Sequence, residues 1–167
     1  TIATTGSGAN GIWFTGAGSL LNLHASTVNV SGNWATGITS ESGAHAQLTG
    51  VNNVSATGEE GVAWRAQIAG RITGSGKVEL QANTADGIGV VADTGGIVDF
   101  DGEVQLSQSL HGVQVQGTGS QVRLGNTGSA SAIDVAGTAV KMGAGSDLKV
   151  DLQGMTRVAS ANPSATL

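Results

Sequence analysis

Short alternating runs of apolar and polar residues recur along the chain, separated by clusters of Gly, Ser, Asn and Thr. In Gly-Lys-Val-Glu-Leu (76–80) and Gly-Glu-Val-Gln-Leu (102–106), every second side chain is apolar, which predicts a strand with one buried face. Each run lasts about four or five residues before a turn-forming cluster follows. No apolar stripe with a helical period is present, so the pattern predicts strands and turns and no helix.

The strand pattern itself repeats, with a period of about 25 residues. A Gly followed by Ile or Val, replaced once by Ala-Val, marks six starts at Gly11, Gly37, Gly61, Gly87, Gly112 and Ala139. Each interval holds three alternating runs, which predicts three strands per repeat and one coil of a solenoid. We therefore predict an all-β, parallel β-helix of about six coils. It forms a single unit over residues 1–167, and the tail 160–167, which has lost the alternation, is predicted to fray.

Alignment of the six starts predicts which side chains point into the core. Like side chains then stack from coil to coil and bury apolar area that one coil cannot bury alone. In the second strand, Leu148 and Val150 are predicted to continue the column of Val122 and Leu124. In the first strand, the predicted inward pairs are Ile12/Phe14, Ile38/Ser40, Val62/Trp64, Ile88/Val90, Val113/Val115 and Val140/Met142.

The composition narrows the functional classes. Charged residues make up 11% of the chain, against about 25% in an average domain, and the net charge is −5. This gives no basic surface for phosphate groups, so nucleic acid is not an expected partner. No run of 18 apolar residues occurs, so we expect no membrane insertion of this chain. Because it starts at Thr1 with no leader pattern, we expect an internal fragment whose targeting sequences lie elsewhere.

The repeat carries a family resemblance. The Gly-Val and Gly-Ile starts and segments such as His111-Gly-Val-Gln-Val-Gln-Gly-Thr-Gly-Ser-Gln-Val-Arg-Leu124 resemble the passenger region of pertactin-like autotransporters, over most of residues 6–158. The resemblance implies a right-handed β-helix, carried by a C-terminal β-barrel to the outer-membrane surface of a Gram-negative bacterium. It also implies an extracellular adhesin or another virulence-related role. Filamentous haemagglutinin-like exoproteins share the architecture and are an alternative.

An enzyme is the second alternative, because polysaccharide lyases and hydrolases use the same fold and gather several carboxylates on one face. Asp99 is predicted to align with Arg123 and Lys149 in the following coils, which indicates a ladder of exposed charge pairs. We therefore predict a non-enzymatic protein without catalytic residues, metal or cofactor. A polysaccharide-active β-helix whose catalytic coils lie outside this fragment remains the alternative. The densest acidic cluster consists of Asp93, Asp99, Asp101 and Glu103.

The three Trp residues fall in different predicted environments. Trp64 falls in a core column and is predicted to be a packing residue. Trp13 falls on an outward strand position and Trp34 in the corner between coils one and two, so both are candidate binding residues. The expected partner is a protein or glycan on the surface of a host cell or a neighbouring cell. End-to-end self-association is a further expectation, because exposed terminal coils are unpaired sheet edges.

Overall fold

The computed structural model describes residues 1–160, and these contain seventeen β-strands and no helix. The predicted fraying of the tail concerns residues 161–167, which lie outside the described residues, and Ser160, which ends the last strand. The strands are β1 (Ile2–Thr4), β2 (Asn10–Thr15), β3 (Leu20–His24), β4 (Thr27–Val30), β5 (Thr36–Glu41), β6 (His45–Thr49), β7 (Val51–Ala56), β8 (Val62–Gln67), β9 (Arg71–Gln81), β10 (Ile88–Asp93), β11 (Ile97–Ser107), β12 (His111–Gln116), β13 (Gln121–Leu124), β14 (Ser131–Val135), β15 (Val140–Met142), β16 (Lys149–Leu152) and β17 (Met155–Ser160).

The strands pair in parallel with their equivalents in neighbouring coils. One six-stranded sheet, in the order β2-β5-β8-β10-β12-β15, forms the first face of the solenoid. The other two faces belong to one eleven-stranded sheet, because β9 and β11 continue without interruption through the corner between them. The structure confirms the predicted all-β parallel solenoid of about six turns, with a spacing of about 26 residues.

The register differs from the predicted alignment in the third and fourth coils, both displaced by two residues. Ile38 pairs with Trp64, and Trp64 pairs in turn with Val90. The alignment that placed Ile38 level with Val62 is therefore wrong by two residues. In the fourth coil, Val90 pairs with Val113, which was predicted to lie level with Ile88. A shift of two residues keeps every side chain on the same side of its strand, so the alternation alone does not distinguish the two registers.

The last coil also departs from the sequence prediction. Met142, predicted to point into the core, is 52% exposed, because β15 is the edge strand of the six-stranded sheet. Lys149 does not align with Asp99 and Arg123. Leu148 packs against the core as predicted, but it precedes β16, and Val150 takes the position level with Val122 that was predicted for Leu148. The pairs between β13 and β16 are Gln121 with Lys149, Val122 with Val150, Arg123 with Asp151 and Leu124 with Leu152.

The core is a stack of apolar side chains enclosed by the three faces. Trp64 and Phe100 are fully buried, and their ring centroids lie 5.7 Å apart, which confirms Trp64 as a packing residue. Full burial of a side chain such as Phe100 contributes about 1.5–3 kcal/mol to stability. Other large, fully buried side chains are Ile38, Leu48, Ile72, Leu80, Leu106, Leu124 and Ile133.

Small residues recur near the start of the first strand because the backbone there approaches the opposite wall. A Cβ added at Gly37 would lie 2.3 Å from Val54 Cγ1 and 2.6 Å from the Ala63 carbonyl oxygen. At Gly89 the nearest atom would be Leu106 Cδ1, at 2.5 Å. Neither glycine has a positive φ, so close packing explains why these positions are glycine.

Candidate functional site

A cleft of about 290 Å³ opens on the outer face of the six-stranded sheet, across the first three coils. Its lining brings together both sequence-predicted binding residues, Trp13 and Trp34. A few convergent polar groups beside an aromatic surface are typical of ligand-binding sites. The polar side chains of this cleft include Asn10, Thr39, Glu41, Arg65 and Gln67.

The corner before β5 carries Trp34. Gly8, Trp34 and Glu60 occupy equivalent corner positions in three successive coils, and all have a left-handed backbone, with φ values of 68°, 57° and 51°. The Trp34 amide donates to the Glu59 carbonyl at 2.7 Å, which ties this corner to the next coil. A left-handed conformation is unfavourable for a bulky residue, yet the Trp34 side chain remains 59% exposed. The corner therefore holds the Trp34 backbone in one conformation, although the Trp34 side chain is not needed for packing of the core.

The second aromatic residue, Trp13, projects outward from β2. Its side chain is 57% exposed, and its Nε1 donates to Glu41 Oε2 in the next coil at 3.3 Å. The same Glu41 oxygen accepts a hydrogen bond from Gln67 Nε2, one coil further on, at 2.9 Å. These hydrogen bonds connect the Trp13 indole to the floor of the cleft and leave much of its ring in contact with solvent.

Arg65 lies on the floor of the cleft, where the register places it between Thr39 and Val91. Burial lowers the pKa of Arg65 from its ordinary value, and the nearby charge of Asp93 partly opposes that shift. Of the ion pairs formed within residues 1–160, none includes Arg65, and its Nε is buried without a hydrogen-bond partner. The cleft therefore holds a half-buried cation that no carboxylate pairs with directly.

The sequence predicted the two aromatic residues of this cleft and missed its polar floor. One outward column holds Trp13, Thr39 and Arg65, which pair from coil to coil at intervals of 26 residues. Glu41 and Gln67 stand level in the adjacent outward column. An alignment at 26 residues would have revealed both columns, whereas the Gly-based alignment displaced the third coil by two residues.

The structure divides the predicted acidic cluster. Asp93 ends β10 on the six-stranded sheet, whereas the other three carboxylates lie on β11 of the eleven-stranded sheet. Arg123 pairs with Asp99 and also lies 3.7 Å from Asp101, between Nη1 and Oδ1. Lys77 contacts Glu103 at 3.3 Å, and hydrogen bonds to its carboxylate neighbours raise the pKa of Lys77. The charges in this region therefore pair with one another across neighbouring coils, as the predicted ladder requires for Asp99 and Arg123.

The three histidines occupy separate coils, and two of them bond to a threonine of the next coil. His24 Nδ1 lies 3.0 Å from Thr49 Oγ1, and His45 Nε2 lies 2.7 Å from Thr73 Oγ1. Burial lowers the pKa of the third, His111. Within residues 1–160, no three metal-binding side chains come together, and no helix has the length and hydrophobicity needed to span a membrane.

Comparison with known proteins assigns this chain to no family, so its classification rests on the fold. No family model, no curated protein and no solved structure matches it. The architecture defines a parallel β-helix repeat protein, and the cleft with Trp13 and Trp34 is its best-defined candidate site.

Proposed function

We propose that this chain is a non-enzymatic binding segment of a secreted or surface-displayed β-helix protein, of the pertactin-like autotransporter type. Its cleft binds a glycan on the surface of a host cell or a neighbouring cell. The observation that carries this proposal is the meeting of Trp13 and Trp34, both more than half exposed, on one cleft with a polar floor.

The chemistry of the cleft suits a sugar. An indole ring offers a flat apolar face against which the C–H face of a pyranose packs, while hydroxyl groups need hydrogen-bond partners at the edge. Thr39 Oγ1 donates to Asn10 Oδ1 at 2.8 Å, so polar groups of two coils already converge beside the aromatic rings. A shallow, open cleft across three coils is also accessible to one segment of a long chain.

The same cleft is poorly equipped for glycoside hydrolysis. That reaction ordinarily uses two carboxyl groups about 5–9.5 Å apart, one as acid and the other as nucleophile or base. Of the described residues that line the cleft, Glu41 alone carries a carboxylate, and it already accepts hydrogen bonds from Trp13 and Gln67. Binding without cleavage is therefore the function that this lining favours, and a reducing-sugar assay on a bound polysaccharide is expected to show no turnover.

The test is binding of the protein to a panel of immobilised oligosaccharides. Trp13→Ala and Trp34→Ala are each expected to weaken binding at least ten-fold, because a stacked aromatic residue at a binding hot spot contributes about 2 kcal/mol. Leu20→Ala is the matched control: Leu20 lies in the same coil region on another face and is 59% exposed. Glycan binding that survives both Trp substitutions, or that falls equally with Leu20→Ala, contradicts the proposal.

The location of the protein needs a separate test. Antibodies against this chain are expected to label intact bacterial cells without permeabilisation, as surface display requires. Recovery of the protein mainly from the culture medium favours the filamentous exoprotein alternative. Labelling only after permeabilisation contradicts both.

A further inference from the structure

Arg65 gives the cleft a charge preference that the aromatic residues alone do not provide. Its neighbours in the outward column, Thr39 and Val91, carry no charge. Both are nearly inaccessible to solvent, at 4% exposure each, so water solvates this cation less than it solvates an ordinary surface arginine. An anion placed in the cleft would supply the missing partner.

Glu41 does not supply that partner, although it lies one coil earlier. Its Oε2 is engaged by Trp13 Nε1 on one side and Gln67 Nε2 on the other. The register pairs Glu41 with Gln67 and Arg65 with Thr39, so the two charges are diagonal neighbours and form no ion pair. Asp93, level with Gln67 on the other side, raises the pKa of Arg65 through its charge but also forms no ion pair with it. The Asp93 oxygens accept from the side chains of Thr94 and Gln116.

We propose that the cleft selects an acidic glycan, whose sugar carboxylate pairs with the Arg65 guanidinium while the sugar ring stacks against Trp13 or Trp34. This assignment rests on the proposed glycan-binding function and names the substrate class of that same cleft. A guanidinium group matches a carboxylate with two parallel hydrogen bonds, and such charge-assisted pairs are about twice as strong as neutral ones.

The net charge of −5 does not oppose this preference at close range. Screening at physiological ionic strength reduces the effect of exposed charges beyond about 8 Å. The local partners of a bound carboxylate therefore decide its affinity, and burial of Arg65, which lowers its pKa, makes an anionic partner more favourable there.

The test compares two probes with the same backbone: a uronic acid oligosaccharide, and the same oligosaccharide after reduction of its carboxyl groups to primary alcohols. Titration calorimetry is expected to show at least ten-fold tighter binding of the acidic probe. In Arg65→Gln that preference falls below about three-fold, because a charge-assisted contact of this kind is worth roughly a factor of ten or more. Arg71→Gln removes the same charge from an exposed position outside the cleft and keeps the preference.

A second variant tests the sign of the charge effect. Glu41→Gln retains a side-chain oxygen that can accept from Trp13 and Gln67, and it removes the competing negative charge. We expect it to tighten binding of the acidic probe about two- to five-fold and to change binding of the reduced probe less.

The outcomes separate this inference from the proposed function. Equal affinity for both probes, or a preference that survives Arg65→Gln, overturns the acidic selectivity and leaves glycan binding standing. Absence of binding to both probes and to the wider oligosaccharide panel overturns both proposals.

Discussion

Two outward-facing arginines of this solenoid differ in whether a carboxylate of a neighbouring coil pairs with them. Arg123, on the eleven-stranded sheet, pairs with Asp99 of the preceding coil. Arg65, on the six-stranded sheet, has Thr39 at the equivalent position of its preceding coil and forms no ion pair. In the following coil, Asp151 lies level with Arg123, whereas Val91 lies level with Arg65. The residues one coil away on either side therefore decide whether the cation is neutralised or left for a ligand.

The surroundings of the two arginines differ as well. A cavity of about 180 Å³ beside Arg123 is lined by aliphatic and charged residues and by Gln121, without an aromatic ring among the described residues. The cleft beside Arg65 has Trp13 and Trp34. A concave surface therefore occurs on both sheets, and the combination of unpaired charge with exposed aromatic rings distinguishes the candidate site. The following predictions test this comparison.

The largest effect on stability is expected on β8, at the inward position next to Arg65. Trp64→Asp would place an unpaired charge in the core and remove the contact with Phe100, at a cost of at least about 4 kcal/mol in the free energy of unfolding. Arg65→Gln, at the adjacent outward position, is expected to change that free energy by less than about 1 kcal/mol. Denaturant unfolding followed by circular dichroism measures both, and equal stability of the two variants contradicts the inward and outward assignments on β8.

The sequence predicted the repeat, the parallel solenoid and the environments of the three Trp residues because these follow from alternation and period. The register of the third and fourth coils did not follow, because a shift of two residues preserves the alternation that defines inward and outward faces. Stacking of Trp64 between Ile38 and Val90 depends on side-chain fit between coils, which a Gly-based alignment does not measure.

The last coils were harder to predict for another reason. Corners of this solenoid vary in length: 24 residues separate the paired positions Ile97 and Gln121, but 28 separate Gln121 and Lys149. Alignment of the second-strand motifs is therefore correct for Asp99 and Arg123, but it places Lys149 level with Arg123 where the longer corner brings Asp151. The polar floor of the cleft was missed because its residues become neighbours only through register, and none belongs to a recognisable sequence motif.

The most direct test of the comparison between Arg65 and Arg123 is to give Arg65 a paired carboxylate like that of Arg123. Thr39→Asp places a carboxylate one coil before Arg65, as Asp99 stands before Arg123. The new pair neutralises the guanidinium, so we expect binding of the acidic oligosaccharide to weaken at least ten-fold in titration calorimetry. Thr39→Asn is the neutral control of similar shape. If Asn and Asp reduce affinity equally, loss of charge at Arg65 is not the cause.

A smaller effect on stability is expected at the corner that carries Trp34. Trp34→Gly relieves a left-handed backbone that costs a bulky residue about 1–2 kcal/mol, and the added flexibility of glycine in the unfolded chain offsets about 0.5–1 kcal/mol of that gain. Stability is therefore expected to stay constant or rise by up to about 1.5 kcal/mol in thermal unfolding, while glycan binding is lost.

Glu60→Gly makes the same backbone change at the equivalent corner of the next coil and is the matched control. It is expected to match Trp34→Gly in stability and to retain glycan binding. Parallel loss of binding in both variants would mean that the corner backbone, and not the indole ring, is what the ligand requires.

The smallest effect is expected where the charges are already paired. A triple variant, Asp99→Asn with Asp101→Asn and Asp151→Asn, removes the two carboxylates that pair with Arg123 and the carboxylate level with it on β16. The Arg123 side chain is about one third exposed. Exposed ion pairs contribute about 0.2–1 kcal/mol each, so denaturant unfolding is expected to show a loss of roughly 1 kcal/mol or less. The variant frees an arginine without supplying an aromatic surface, so it is expected to gain no preference for the acidic oligosaccharide over its reduced form. If freeing Arg123 alone creates that preference, an unpaired cation suffices for acidic-glycan binding, and the two Trp residues are not what sets the cleft apart.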